Sequence, residues 1–495
     1  MRPNKNLSQF MPAFLLVLFI LGMATIQFTT PDMPDNDGFY HIKLAEIMRN
    51  DGLKPDFIWL PLSILNAGEF YDHHFLFHVA LMPFTFGDLR IGAKWAAVIF
   101  SSLAFLAIWF LLQRQKIPYA WLWALGLLGV SDAFLYRMSV TRAQSLSLAV
   151  LALACLWLIE GKHKHLTILS FVYVWLYNAF PLIFALGVLH FLAVAIVERR
   201  FEFRPLLYIV GGIVAGLVIN PYFPQNIIFS YHHMLPKLTD ATSVQVGNEW
   251  FPYDTKQILS NSFPSLFAFA VGILALGLSD KKMDTRTAFS LFAALLFGLM
   301  LFQARRFVEY FPPFALIFAA FAWTPLLAPS ADSVSANASP RNQLAAILLA
   351  LVVAVNIYHS VPRAQDALDS SKPYDLYANA SAWLVTHSAP GERVFQTDWD
   401  DFPRLFFYNT HNTYLIGLDP TYMQLFDPKM YALWVEITDG NVKDPSTLIA
   451  DLFGARYVIT DLNHGDFLRR ARTDAGLLEV YHDDQAVIFE VLVEP

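Results

Sequence analysis

Between residues 10 and 360 the chain returns eleven times to an apolar run long enough, or nearly long enough, to cross a bilayer. A helix needs about 20 such residues to span the hydrocarbon core, fewer where flanking side chains reach for the interface. In lipid every backbone N–H and C=O must be satisfied internally, so runs of this kind fold as helices. The spans read at about 10–29, 91–112, 117–131, 144–160, 165–180, 182–197, 205–220, 262–279, 287–304, 307–327 and 342–360. A shorter run at 75–87 reads as interfacial or re-entrant. Only 15% of residues are charged, against roughly 25% in soluble domains, so a water-soluble globule is excluded. A single cysteine, Cys155, excludes a disulfide scaffold, and a net charge of −7 without a basic block argues against nucleic-acid binding. A basic leader precedes the first run, but no small-x-small cleavage site follows it, so that run reads as an uncleaved span.

Charge divides the chain. Residues 363–495 carry a net −11 and residues 1–362 a net +4. The expectation is a helical membrane domain over 1–362 and a water-soluble domain over 363–495, with 328–341 a polar linker and 361–373 the junction. Within the tail, helical stretches at 376–388, 420–435, 445–453 and 464–472 alternate with strand-like runs at 393–397, 413–417, 455–460, 478–482 and 486–492, which predicts a small α/β domain.

Basic residues collect in alternating loops: Arg2/Lys5, Arg114/Lys116, Lys162/Lys164, Arg199/Arg200/Arg204, Lys281/Lys282/Arg286 and Arg341. By the positive-inside bias these face the cytoplasm. The opposite set is 30–90, 131–143, 221–261, 305–306 and the tail, all expected outside. A plasma (inner) membrane location follows, with the tail extracytoplasmic.

The candidate chemistry lies on that outer side. Pro34-Asp35-Asn36-Asp37-Gly38-Phe39-Tyr40-His41 opens an amphipathic helix just beyond the first span. Its carboxylates can hold a divalent cation or accept a hydrogen bond from an incoming nucleophile; the pattern alone favours Asp35 or Asn36 as a helix cap, which is compatible with either role. Tyr71-Asp72-His73-His74 is a weak metal-ligand cluster and reads rather as solvated interfacial polarity. Asp132, Arg137 and Arg142 abut a membrane mouth, where arginine suits phosphate and also anchors at the interface. In the long loop 221–261, His232-His233 and Val246-Gly247-Asn248-Glu249-Trp250-Phe251 stand out, with Glu249 a candidate for polar recognition. Arg305 and Arg306 sit at the outer end of two spans against the positive-inside bias, which points to an anionic ligand, although Arg306 and Glu309 can also pair at i,i+3. In the tail, Thr397-Asp398-Trp399-Asp400-Asp401 offers an indole and three acids beside a strand, a binding edge or a helix cap.

The order of these features resembles the GT-C superfamily of membrane glycosyltransferases, and within it the single-subunit oligosaccharyltransferases. It consists of one span, an external Asn36-Asp37-Gly38-Phe39-Tyr40 loop, Tyr136-Arg137-Met138-Ser139, a late external glutamate, an outer arginine and an external Trp-Asp tail motif. The resemblance implies a GT-C-like polytopic α-helical fold with an extracytoplasmic C-terminal α/β domain. It implies transfer of a sugar or oligosaccharide from a polyprenyl-(pyro)phosphate donor to a protein or glycan acceptor outside the cytoplasm. The family's first-loop aspartate falls on Asp37, with Asp35 beside it. Its loop glutamate falls on Glu249, and its phosphate-binding arginine on Arg305 or Arg306, with Arg142 nearby. Its acceptor pocket falls on Trp399, Asp400 and Asp401. A divalent cation, Mg2+ or Mn2+, is implied on Asp37. The family's second acidic pair is replaced here by Thr141-Arg142-Ala143-Gln144, leaving Asp132 as the nearby substitute. The rival readings are a lipid-linked glycan ligase or polymerase, a transporter, and a non-catalytic assembly factor.

Overall fold

A computed structural model describes residues 5–234, 247–327 and 340–492. Most of the linker expected at 328–341, and the middle of the loop 221–261 including Val246, lie outside the described residues, as does the His233 side chain.

The N-terminal part is helical: α1 (Lys5–Gln27), α2 (Asp37–Asp51), α3 (Phe75–Leu81), α4 (Leu89–Arg114), α5 (Ala120–Leu125), α6 (Asp132–Ser139), α7 (Gln144–Ile159), α8 (His163–Leu176), α9 (Pro181–Val197), α10 (Arg204–Val218), α11 (Gln225–Phe229), α12 (Thr255–Leu278), α13 (Thr285–Gln303), α14 (Phe311–Leu327) and α15 (Pro340–Asp369). Five helices are long and apolar enough to cross a membrane: Gln9–Gln27, Leu89–Arg114, Thr255–Leu278, Thr285–Gln303 and Gln343–Asp369. The pair α6 and α7, bent by 111° at a short break, makes a sixth candidate. The chain is therefore a multi-span membrane protein. Helices α8, α9, α10 and α14, where spans were also expected, run 14 to 17 residues. The run at 117–131 departs most from expectation. Its helix α5 has six residues and ends in a three-residue 3-10 turn, roughly 15 Å at helical rise and half the hydrocarbon thickness. The run 75–87 forms α3 and a short 3-10 turn through Phe84.

The outward faces behave as lipid-facing surfaces do. Phe10, Phe14, Val17 and Leu21 on α1, Leu207, Val210, Val214 and Val218 on α10, and Leu344, Ile347, Leu348 and Leu351 on α15 are all exposed. Apolar stripes of this length are rare on water-facing surfaces.

Loops of the two sets gather at opposite ends of the bundle. At one end Arg114 meets Glu160 at 3.0 Å and Thr285 donates to Glu198 at 2.7 Å, linking four of the basic loops in two pairs. At the other end lie α2, α3, the break between α6 and α7, the 247–254 segment and residues 305–309.

Helix α15 runs on through residue 362 to Asp369, so the expected junction 361–373 is mostly helix. Beyond it the tail folds as α16 (Ala378–His387), β1 (Arg393–Gln396), α17 (Phe402–Tyr408), β2 (Thr413–Tyr414), α18 (Thr421–Phe426), α19 (Pro428–Thr438), α20 (Ser446–Asp451), β3 (Tyr457–Asp461), α21 (Gly465–Ala471), β4 (Leu477–His482) and β5 (Ala486–Val491). The sheet order is β2-β1-β3-β5-β4, parallel across β2-β1-β3 and antiparallel across β3-β5-β4. The mixed α/β region stands where the alternation of elements placed it.

The tail docks on the first loop through a shared apolar core that joins Tyr40, Phe57 and Trp59 to Phe402, Phe406 and Tyr414. The Trp59 indole donates to the Thr410 carbonyl at 2.9 Å, and the Tyr414 amide donates to the Trp59 carbonyl at 2.9 Å. This packing sets the carboxyl end of β1, with Trp399 and Asp400, over the mouth of the bundle.

Candidate active site

The site begins with a broken helix. Ser131 caps α6 by accepting the Phe134 amide at 3.1 Å. The helix stops at Ser139, and Val140 turns extended. The Arg137 carbonyl accepts the Val140 amide at 3.4 Å and also the Gln144 side-chain amide at 3.0 Å, across the break. Thr141 ties the elbow to α4 through the Ala93 carbonyl at 2.9 Å. Irregular backbone at such depth is tolerated where it lines a cavity. Here the elbow delivers Arg142 into one. Gly38 at the start of α2 permits the close approach: a Cβ there would lie 2.8 Å from Met33 Cε and 3.4 Å from Thr141 Cβ.

The Arg142 guanidinium sits 2.6 Å from Asp35 and 2.8 Å from Asp37, with Glu249 at 3.4 Å. Arg137, half a turn before the break, pairs with Glu249 at 2.8 Å and donates to the buried Glu309 carboxylate at 2.8 Å. Arg306 approaches Glu249 at 3.6 Å, donates to the Tyr177 hydroxyl at 3.1 Å and lies 4.1 Å over the Trp250 ring. Four carboxylates and three guanidiniums thus form one network. Its anions come from the start of α2 and the residues just before it, the 247–254 segment and the 305–309 turn.

Asn36 does not cap α2 with its side chain. Asp35 does the local work, accepting the Asp37 amide at 2.6 Å. The Asn36 amide reaches across to Asp400, donating to its carboxylate at 2.6 Å and its carbonyl at 3.0 Å, while its oxygen accepts from buried Arg404 at 2.7 Å.

These groups border a cavity of about 510 Å3 that Asp37, Arg142, Glu249, Arg306, Trp399 and Asp400 help to line. Desolvation pushes the Asp37 carboxyl up to about 7; Arg142 opposes that, and Asp35, Asp400 and Glu249 add to it. Burial, with Asp398 next, pushes Asp400 up to about 6. Glu249 goes the other way. Burial would raise it, but Arg137, Arg306 and Arg142 hold it below the usual carboxylate range.

Several expected positions fall elsewhere. Arg305 turns away from the cavity, donating to the Pro252 carbonyl at 3.2 Å beside the Tyr253 ring. Asp401 is buried under the tail, where it accepts the Tyr377 hydroxyl at 3.0 Å, and lines no part of the cavity. Asp132 heads α6 near Arg363 and is not a cavity residue, so it does not replace the missing acidic pair. Glu309 pairs with Arg137 rather than with Arg306. The cluster Asp72-His73-His74 splits, with both histidines at the cavity and Asp72 buried behind it.

A divalent cation does not fit these residues. Asp35 and Asp37 already share one guanidinium, and among the described residues no group of three or more His, Cys, Asp or Glu side chains is placed to hold a metal. Arg142 brings its own positive charge to the place a cation would take. Sequence reasoning placed Arg137 at the membrane mouth but not in this carboxylate network, and gave no role to His41 or Gln144; the visible signals were two arginines flanking a helix break, and a histidine one turn after Asp37 on the same face.

No protein-family model matches this chain, and no curated protein matches it in sequence. Solved structures match in fold. The Archaeoglobus fulgidus oligosaccharyltransferase in the apo form aligns with a TM-score of 0.65 at 15% identity, over 94% of this chain and 72% of that one. The archaeal oligosaccharyltransferase AglB from Archaeoglobus fulgidus, in complex with an inhibitory peptide and a dolichol-phosphate, aligns at 0.64 and 13%, over 94% and 71%. ArnT from Cupriavidus metallidurans, bound to undecaprenyl phosphate, aligns at 0.59 and 14%, over 96% and 97%. These neighbours are lipid-donor glycosyltransferases of the GT-C kind, and this chain has a GT-C-like fold.

Proposed function

We propose that this chain is a glycosyltransferase that moves a sugar or oligosaccharide from a polyprenyl-(pyro)phosphate donor to an acceptor at the non-cytoplasmic face of the membrane. The observation that carries the reading is that Asp37 and Arg306, from distant parts of the sequence, border one cavity at one end of an apolar bundle. A lipid-linked sugar has its tail in the bilayer and its anomeric carbon at the membrane surface, which is where such a cavity is needed. Arg306 is the residue type that neutralises a departing phosphate. Asp37, pushed up to about 7, is poised as a general base near neutral pH.

In the step we propose, the acceptor's nucleophilic atom forms a bond to the anomeric carbon, and the carbon–oxygen bond to phosphate breaks with inversion. The acceptor's proton passes to Asp37, and the electron pair leaves with the phosphate, held by Arg306. Arg142, at the cavity itself, fixes Asp37 and Asp35. The acceptor enters past Trp399 and Asp400, which the Asn36 contact locks to the first loop. Neither role of Arg142 nor that of Arg306 requires a metal.

The finer topology belongs to the same reading: eleven spans, a membrane domain over 1–362, an extracytoplasmic domain over 363–495, and a plasma-membrane location. The basic loops gathered at the end of the bundle away from the cavity support it.

Asp37→Asn tests the assignment. With the protein in lipid nanodiscs and a polyprenyl-phosphate sugar as donor, transfer is expected to fall by about 10²- to 10⁴-fold with thermal stability retained. Full transfer by that variant removes the mechanism.

A further inference from the structure

Behind the cavity wall lies a chain of buried polar groups that the transfer step does not use. Asp72, on the segment before α3, accepts the His74 amide on Oδ1 at 3.0 Å and meets His78 Nδ1 with Oδ2 at 2.7 Å. His78 Nε2 lies 2.7 Å from His41 Nδ1. Asp72 and His78 are fully enclosed, and His41 lines the cavity.

With both imidazoles neutral, the protons on this chain have one arrangement. A carboxylate only accepts, so His78 carries its hydrogen on Nδ1 and presents a lone pair on Nε2. His41 must then carry its hydrogen on Nδ1. Its Nε2 is left as a hydrogen-bond acceptor, without a partner among the described residues. Burial, and then His78, keep the His41 imidazole well below its usual range, so the ring is neutral and Nε2 stays an acceptor. Orienting one imidazole through another to a buried carboxylate is costly unless a defined tautomer is needed.

The place of His41 says what it faces. Arg306 donates to Tyr177, the Tyr177 ring stacks on His74 with centroids 5.3 Å apart, and His74 lies edge-on to His41 at 5.0 Å. A sugar joined to a phosphate at Arg306 runs along this aromatic wall to His41. Resting on the donor reading above, we infer that the Asp72–His78–His41 chain fixes His41 Nε2 as the acceptor for a hydroxyl of the donor's sugar. His41 thereby distinguishes a glycosylated lipid phosphate from a bare one. Asp72 and His78 are positioning residues that act through it.

Asp72→Asn tests this without changing shape. The His74 amide keeps the side-chain oxygen on its own side, so the new NH2 group faces His78 Nδ1 and donates. Each proton in the chain then shifts, and His41 Nε2 becomes a donor. His41→Phe removes the acceptor and keeps a ring. The full chain in nanodiscs is titrated with polyprenyl phosphate and with polyprenyl-phosphate hexose and pentose.

Wild type is expected to bind one glycosylated probe at least about tenfold more tightly than the bare phosphate. Both variants are expected to lose that difference while binding the bare phosphate unchanged. Variants that keep the preference, or a wild type with none, overturn the inference and leave the donor site standing. A wild type that binds no polyprenyl phosphate overturns both. Independently of any ligand, 15N spectra of histidine-labelled protein, assigned with His41→Phe, are expected to show His41 protonated on Nδ1 in wild type; protonation on Nε2 contradicts the chain of donors.

Discussion

Asn36 and Asp400, 364 positions apart, are joined by two hydrogen bonds from a single side-chain amide. Through them the first loop holds the tail over the cavity, and buried Arg404 closes the clasp from the other side. Asn36→Ala is expected to cost about 1–3 kcal/mol, because it strands Arg404 and Asp400 in a partly desolvated place. Thermal unfolding in nanodiscs measures it. Asn36→Asp sets a second carboxylate against Asp400. Asp400 is pushed up to about 6, so the repulsion is full above that pH and fades as pH falls through it. A loss of stability that grows toward acid would contradict this geometry.

Among the described residues, Arg142 is the one guanidinium that pairs with both Asp35 and Asp37. Arg142→Gln leaves these carboxylates without their cation and is expected to cost about 3 kcal/mol or more. Asp37→Asn is expected to cost far less. The Asp37 carboxyl is raised above its unfolded value, so its ionised form takes stability away from the fold above the unfolded pKa. That loss is complete above about 7 and is relieved as pH falls below it. At pH 8 the Asn variant should be as stable as wild type or more so. Strong chelators should leave wild-type transfer unchanged, because Arg142 supplies the local positive charge.

The same shift sets the pH dependence of turnover. A base works only when deprotonated, so transfer should rise as pH passes upward through about 7 and fall away in acid. A pH–rate profile that is flat from 5 to 9 at saturating donor would take the base role from Asp37.

The neighbouring arginines should separate cleanly. Arg306→Gln is expected to weaken polyprenyl-phosphate binding by about tenfold or more, the worth of a hydrogen bond to a charged group. Arg305→Gln, whose side chain points to the Pro252 carbonyl outside the cavity, is expected to leave binding nearly unchanged. Equal losses from both would mean that the phosphate lies elsewhere.

Much of the architecture is legible in the residues because its cause is local. Apolar runs of helical length and alternating apolar strands in the tail both announce themselves, and β1, β3, β4 and β5 lie within two or three residues of the runs that predict them. The run 117–131 misleads because composition does not count the turn that ends α5 at Leu125. The site is legible in kind but not in connection. Asp37, Glu249, Arg306, Trp399 and Asp400 carry the right chemistry for a sugar–phosphate pocket, and each lines the same cavity. Which guanidinium meets which carboxylate is decided by the elbow at 140–143 and by a tail docked on the first loop, neither of which has a short-range signal. Glu309 illustrates this. Three residues from Arg306, it pairs with Arg137 across 172 positions. His78 was invisible for the same reason, since its partners Asp72 and His41 meet it only once α2 and α3 pack.

The most direct measurement is an electron cryomicroscopy structure of the full chain in nanodiscs with a non-transferable polyprenyl-phosphate sugar analogue. The account predicts the phosphate against Arg306, the sugar along Tyr177 and His74, and the anomeric carbon facing Asp37. A phosphate bound at the opposite end of the bundle, or a sugar with no path to Asp37, would contradict it.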